Sequence, residues 1–377
     1  MMRRGRWLRW RESTSVLLAG LALVWLVSAW PALSTTEHWS IDWIAYRESV
    51  LRFAEEGTFY LSTSLEGPFV PVLKSLYLYP PPFGLAVTPL AALPQTEGAV
   101  VWYLIHVTVL VLTCALMPVR SLIRLWTFVI AAICLPVLSD FILGNVSSVL
   151  LLPLVLGWRW LDRPAGSIAI AIAASVRITF GIFLLWFLIR RAWKSMLWML
   201  IGGAVMGLSA LPIVGIEGYR DYFTMLGNLR APLDLEPNRH IPVAVTALGL
   251  PDEIAWAALM ATYLLALGAI LASRRCDAEV GFMVTVAAST LLAPAMWGHY
   301  LALLILPAAF LAQRGRPWAL ALPLLAWLPQ EFLSLWVIAA LLLPFITRDA
   351  GPDFSAPSTP EEHQTERGTA SMPLATT

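Results

Sequence analysis

Apolar runs of about 20 residues, nearly free of charge, recur along most of the chain and are parted by short basic or turn-rich breaks. This is the pattern of an all-α protein that crosses a membrane many times. The first run, 14–33, follows Arg3, Arg4, Arg6, Arg9 and Arg11. Basic flanks stay in the cytoplasm, so residue 34 is expected to emerge outside. The first 33 residues have the make-up of a secretory signal, but cleavage would leave a chain still full of spans. They are read as an uncleaved signal-anchor that serves as the first helix. Further spans are expected at 98–117, 124–141, 146–160, 195–216, 254–273, 277–295, 299–313, 317–330 and 332–347. The segment 165–189 carries Arg177 in its middle and is too long for one helix and too short for two full spans. It is read as two half-length helices that meet at Arg177. The sum is about 12 helical segments in one polytopic transmembrane bundle over 1–348, with both termini cytoplasmic.

Two longer polar stretches are expected outside, 34–97 and 217–253. The first opens with an amphipathic helix: Ser40 can cap it, Gly57 can end it, and Trp43, Tyr46, Val50 and Phe53 share one face. Arg47, Glu48, Arg52, Glu55 and Glu56 fall mostly on the other face, so the helix is expected to lie on the membrane surface. Residues 81–94 are apolar but short and proline-bounded, which suits an interfacial helix. If this segment does not cross, Arg120, Arg124 and most of the 25 Lys and Arg fall on the cytoplasmic side, as the positive-inside rule requires. From 349 to 377 the chain is rich in Pro, Ser, Thr and Glu without apolar periodicity, and is expected to be a disordered cytoplasmic tail.

Composition narrows the function classes. The chain is 59% hydrophobic and 13% charged, with a mean hydropathy of +0.73, whereas soluble proteins carry about a quarter charged residues. A net charge of +1 leaves no basic face for a nucleic-acid partner. Cys114, Cys134 and Cys276 lie in or beside apolar runs without metal-like spacing and read as core residues.

On this topology four polar sites meet at the outer face: Asp42 with Tyr46, Gly144-Asn145, Asn238-Arg239-His240, and Trp297-Gly298-His299-Tyr300. Arg177 approaches them from below. A carboxylate with cationic and imidazole groups suits transfer of a group from a lipid phosphate. The carboxylate takes the proton of an attacking hydroxyl, and Arg and His hold the phosphate as its charge grows. Plainer readings stand beside these. An acid in a first helical turn favours the helix dipole, Asn145 can cap a helix, Arg239 and His240 sit in a charged loop, and His38 and His106 have no supporting context. A charge at mid-span costs on the order of 3 kcal/mol, which makes Arg177 the hardest to read as incidental. Tyr79-Pro80-Pro81-Pro82 is turn punctuation that sets the start of the short helix.

These residues carry a resemblance. DWIAYRESVLRFAEEGTFY and LYPPPFGLAVTPLAALP resemble the first outer loop of glycosyltransferase family 87. GNVSSVLLLPL is similar to that family's Gly-Gln-Val-Asn segment, EPNRHIPV to its Asn-Gln-Ser segment, and LLAPAMWGHYLALLILP to its Ser-Pro-X-X-Trp-X-His segment. The order is the family's own, over about residues 15–330. The resemblance implies a membrane-embedded fold of GT-C type and an inverting transferase that works at the outer face of the plasma membrane. A polyprenyl-phosphate-linked sugar, most often mannose, would be the donor substrate, a glycolipid or glycan hydroxyl the acceptor, and membrane lipids the surroundings. No cofactor and no metal is implied. Asp42 would be the general base and His299 its essential partner near the donor phosphate, with Arg177, Arg239 and His240 also placed toward that phosphate. Tyr46, Tyr79, Asn145 and Trp297 would line the substrate pocket. Three departures stand out: Asn145 where Gln is usual, Arg177 where Lys is common, and Arg239-His240 in place of Gln-Ser. The alternatives are transfer of arabinofuranose from polyprenyl phosphate, or a lipid or sugar-lipid transporter without chemistry. No internal repeat of the kind seen in transporters supports the latter.

Overall fold

Prolines and glycines inside the apolar runs cut the expected spans into shorter helices, and this decides the architecture. The computed structural model describes residues 2–67, 77–229, 240–293, 296–327 and 333–347. Among the described residues all regular structure is helical. The order is α1 (Met2–Leu33), α2 (Ile41–Glu56), α3 (Ser62–Glu66), α4 (Pro81–Ala91), α5 (Gln95–Leu116), α6 (Ser121–Ile133), α7 (Leu135–Leu143), α8 (Leu151–Arg159) and α9 (Pro164–Val176). After a 3-10 turn at Ile178–Gly181 come α10 (Ile182–Ile189), α11 (Trp193–Asn228), α12 (Ile241–Ala247), α13 (Asp252–Ala272) and α14 (Ala278–Leu291). A 3-10 segment at Gly298–Leu304 leads into α15 (Ile305–Gln313), a second at Pro317–Trp327 follows, and α16 (Leu333–Leu342) precedes a last one at Leu343–Thr347.

Four helical stretches are long and apolar enough to cross a membrane: Glu12–Leu33, Gln95–Leu116, Trp193–Asn228 and Asp252–Arg275. A fifth follows if α6 and α7, bent by 58° at Cys134, form one broken span. The chain is therefore a multi-pass helical membrane protein, but several expected spans differ. The run 124–141 breaks at Cys134, whose extended backbone precedes Pro136 in the first turn of α7, where the missing N–H suits a helix start. The run 146–160 begins with a turn and keeps only nine helical residues, and 277–295 keeps fourteen. At 1.5 Å per residue none of these short helices spans a core of about 30 Å. The split at Arg177 is as expected: α9 stops at Val176 and Arg177 is extended (φ −127°, ψ 108°).

Two stretches expected outside also differ. The run read as a span over 195–216 continues helically to Asn228, across a kink where Gly215 takes φ 64°. The stretch 217–253 is thus partly helical, including α12, while 230–239 and the tail from 349 lie outside the described residues. The apolar face of α2 is not turned to lipid. Trp43 stacks on Trp102 of α5 at 5.5 Å between ring centroids, and Tyr46 meets Phe83 of α4 edge-on at 5.1 Å. Aromatic partners on α4 and α5 bury that face more completely than a membrane surface would. Gly57 ends α2 with φ 79°, as read, but Ser40 makes no side-chain cap. The short α4, about 16 Å long at 1.5 Å per residue, packs against α2, α11 and α5.

At the centre lies α14, buried along its whole length from Val280 to Leu291, as a helix apolar on every side must be. The outer surfaces of α1, α11 and α13 are apolar and exposed, with Val16, Leu17, Val24, Leu208, Ile213, Ile216, Leu264 and Leu271 all facing outward. Such a belt is a lipid-contacting surface. The tight turn from α8 into α9 needs glycine at Gly166, where a Cβ would overlap the carbonyl oxygen of Trp160. We expect Gly166→Ala to lower stability by about 1–3 kcal/mol in thermal melts in detergent. The exposed Gly203→Ala, with open space around it, should leave stability unchanged or raise it by up to about 1 kcal/mol.

Candidate active site

Four interruptions of helical backbone come together: the start of α2, the end of α7, the break at Arg177, and the entry to the 3-10 segment at Gly298. At the first, Ser40 takes φ 62° and donates its N–H to the Ile142 carbonyl at 2.6 Å, tying the start of α2 to the end of α7. That bond aims Asp42, the second residue of α2, at the turn after α7. Gly144 ends α7 with φ 70°, its carbonyl accepts from Trp102 Nε1 at 2.7 Å, and a Cβ there would lie 3.1 Å from that of Trp43. Positive φ and close approach both call for glycine at this position.

The turn places Asn145 against Asp42. Asn145 Nδ2 donates to Asp42 Oδ2 at 2.7 Å and to the Tyr79 hydroxyl at 3.2 Å. Tyr46 donates to the same Tyr79 hydroxyl at 3.1 Å, and Tyr60 donates to the Tyr79 carbonyl at 2.9 Å. Asp42 itself is half-buried. Burial pushes its carboxyl up to about 6, against the lowering effects of the Asn145 hydrogen bond and the Arg177 charge. A carboxylate held there can both carry charge and take up a proton near neutral pH. Burial also raises Tyr46 and Tyr79 above the ordinary phenol value, so both remain hydroxyl donors.

On the far side of the turn, Arg177 is only 8% exposed. Its Nη2 donates to Ser147 Oγ at 2.8 Å, and its Cζ stands 3.7 Å over the Tyr300 ring centroid. A guanidinium on an aromatic face keeps its remaining donors free for another anion. Tyr300 packs edge-on against His299 (5.0 Å) and Trp297 (5.4 Å), and the His299 and Trp297 rings are near parallel at 6.2 Å. His299 is buried and its Nε2 has no hydrogen-bond partner among the described residues. Asp42, Tyr46, Tyr79 and Asn145 thus form one bonded group, and Ser147, Arg177 and Tyr300 link it to Trp297 and His299.

The structure sets His240 apart from this group. Its Nδ1 accepts from the Ile241 N–H at 3.0 Å, capping α12, and its Nε2 lies 2.9 Å from the Leu291 carbonyl. Among the described contacts both ring nitrogens meet backbone groups, which accounts for the position of His240 at the start of α12. Arg239 lies outside the described residues. Sequence reasoning missed Asp140, Ser147 and Ser148, and it placed Tyr300 at the outer face without giving it a role. The signal was present for Asp140, a lone acid in the apolar run 124–141. His106, which the sequence left without context, has its Nδ1 3.3 Å from Ser148 Oγ and 3.8 Å from Asp140 Oδ2. Among the described residues no group of three or more His, Cys, Asp or Glu is placed to hold a metal ion.

The family profile of glycosyltransferase family 87 matches residues 77–297. Two curated relatives are similar to the chain, both alpha-(1->3)-arabinofuranosyltransferases of Mycobacterium tuberculosis, from strains CDC 1551 / Oshkosh and ATCC 25618 / H37Rv. Each is 27% identical over 183 residues, covering 40% of this chain and 41% of the relative. The match therefore spans about two-fifths of these relatives' length. No solved structure matches the chain.

Because the Arg177 charge favours ionised Asp42, Arg177→Gln should move the Asp42 titration upward from about 6. The carboxyl carbon signal of Asp42 in selectively labelled protein, followed by NMR against pH, checks the direction.

Proposed function

The chain belongs to glycosyltransferase family 87, a multi-pass membrane glycosyltransferase, and on that premise we propose that it moves a sugar from a polyprenyl-phosphate donor to a hydroxyl of a glycolipid or glycan acceptor, with inversion, at the outer face of the plasma membrane. The observation that carries this reading is the half-buried Asp42, held by Asn145 with its carboxyl near 6, on the same assembly as a buried arginine and an unpartnered histidine nitrogen. The acceptor hydroxyl gives its proton to Asp42 while its oxygen attacks the anomeric carbon. The bond from that carbon to the phosphate oxygen breaks on the opposite side, and its electron pair leaves with polyprenyl phosphate. Arg177 and His299 Nε2 take up the charge that grows on the phosphate. Trp297 and Tyr46 shape the sugar pocket. A phosphate leaves readily without a strong acid, so one carboxylate suffices.

Mannose is the sugar that the sequence resemblance points to. Arabinofuranose is the second reading, favoured by the Mycobacterium tuberculosis relatives, which are alpha-(1->3)-arabinofuranosyltransferases. Incubating the purified protein with polyprenyl-phosphate-mannose and polyprenyl-phosphate-arabinofuranose in parallel, and weighing the product by mass spectrometry, separates the two. Release of polyprenyl phosphate with either donor excludes pure transport.

Asp42→Asn should leave the protein folded and reduce transfer by about 10²–10⁴-fold; a variant that turns over at the native rate would remove Asp42 from the mechanism. Transfer in the native protein should fall as pH drops below about 6, since the protonated carboxyl cannot accept the acceptor's proton. The acid limb of kcat/KM reads this directly.

A further inference from the structure

We propose that Asp140 is a positioning residue: through the turn Gly144–Ser148 it holds Asn145 on the Asp42 carboxylate and Ser147 on the Arg177 guanidinium. The proposal deepens the reading above, in which Asp42 is the base. Asp140 is fully buried on α7 in an apolar bundle, where an ionisable group needs compensation. It finds that compensation almost wholly in the turn that follows its own helix. Oδ1 accepts the Ser147 N–H at 3.2 Å, and Oδ2 accepts the Ser148 N–H at 2.8 Å and the Ser148 hydroxyl. The Asp140 carbonyl accepts the Asn145 N–H at 3.0 Å and also the Gly144 N–H. With both oxygens occupied and no exposure, the carboxylate cannot reach a substrate and acts only through the turn.

The turn passes that constraint on in a definite direction. Ser147 donates its N–H (3.1 Å) and hydroxyl (2.9 Å) to Asn145 Oδ1. This fixes which end of the amide faces Ser147, so that Nδ2 faces Asp42. Turned over, the amide would set its oxygen against a carboxylate. The same Ser147 Oγ accepts from Arg177. One anchor therefore sets the orientation of the base's partner and of the buried cation together, and His106 closes the cluster from α5 through Ser148.

The charged and titratable groups around Asp42 are Tyr46 on its own helix, Tyr79, Asp140, Arg177 and Tyr300. The test is a cycle in full-length protein in nanodiscs, with Asp140→Asn and Ser148→Ala each made in the native chain and on Asn145→Ala. The Asp42 midpoint is read from the infrared carboxyl band that Asp42→Asn removes, a readout that needs no turnover. On Asn145→Ala, Asp140→Asn has no Asn145 bond to release, and its shift is the baseline for any direct effect of the Asp140 carboxyl. In the native chain it also releases the Asn145 bond, so its shift should be more positive by about one pH unit. Ser148→Ala keeps the charge and should raise the midpoint in the native chain alone; it also serves if Asp140→Asn does not fold. Equal shifts in both backgrounds overturn the proposal. In transfer assays, Asp140→Asn should lower kcat about 30-fold in the native chain and less than about threefold on Asn145→Ala. A native protein that transfers neither sugar sinks the proposed function, while the infrared cycle still decides the positioning role.

Discussion

A buried guanidinium in an apolar helical bundle must be compensated or expelled, and the arrangement around Arg177 answers that requirement. Extended backbone at Arg177 interrupts what would otherwise be a continuous apolar helix. Its side chain then meets a hydroxyl, Ser147, and an aromatic face, Tyr300. Two carboxylates, Asp42 and Asp140, lie within reach of its charge. These groups come from three separate stretches of chain, so satisfying one cation draws together α2, the end of α7 with its turn, and the segment at Gly298. The cation thus organises the site before any substrate arrives.

The site is built at helix ends rather than on helix faces. Ser40, Gly144, Arg177 and Trp297 each sit where helical backbone stops, and ends are where backbone groups and short polar side chains lack intrahelical partners. In a membrane such breaks are tolerated only where protein or a polar cavity satisfies them. Shortening α7, α8 and α9 lets several breaks meet at one site. The long helices α1, α5, α11 and α13 supply the lipid-facing surface, and α14 fills the centre.

The chemistry-bearing residues were legible one at a time in the sequence: an acid beginning an amphipathic helix, an arginine in an apolar run, a histidine between apolar runs. The hydrogen bonds joining them were not. Asn145 reads as a possible helix cap, and Tyr79 as turn punctuation beside three prolines. Both become partners of Asp42's group only once the turn after α7 folds against α2. His240 shows the same limit, since a loop histidine beside an arginine gives no sign in the sequence that its ring meets backbone groups at Ile241 and Leu291.

Hydropathy by itself determined that the protein is helical, multi-pass and membrane-embedded, because roughly 20 uncharged residues in a row have no other stable solution in lipid. It also marked Arg177 as a break and 81–94 as too short to cross, since both follow from local composition and length. Tertiary structure alone decided that the apolar face of α2 packs on protein rather than lipid, that several apolar runs form short helices, and that Asp140 anchors the turn presenting Asn145. Those outcomes depend on contacts between residues tens of positions apart. A period of 3.6 residues says which face of a helix is apolar but not what will cover it.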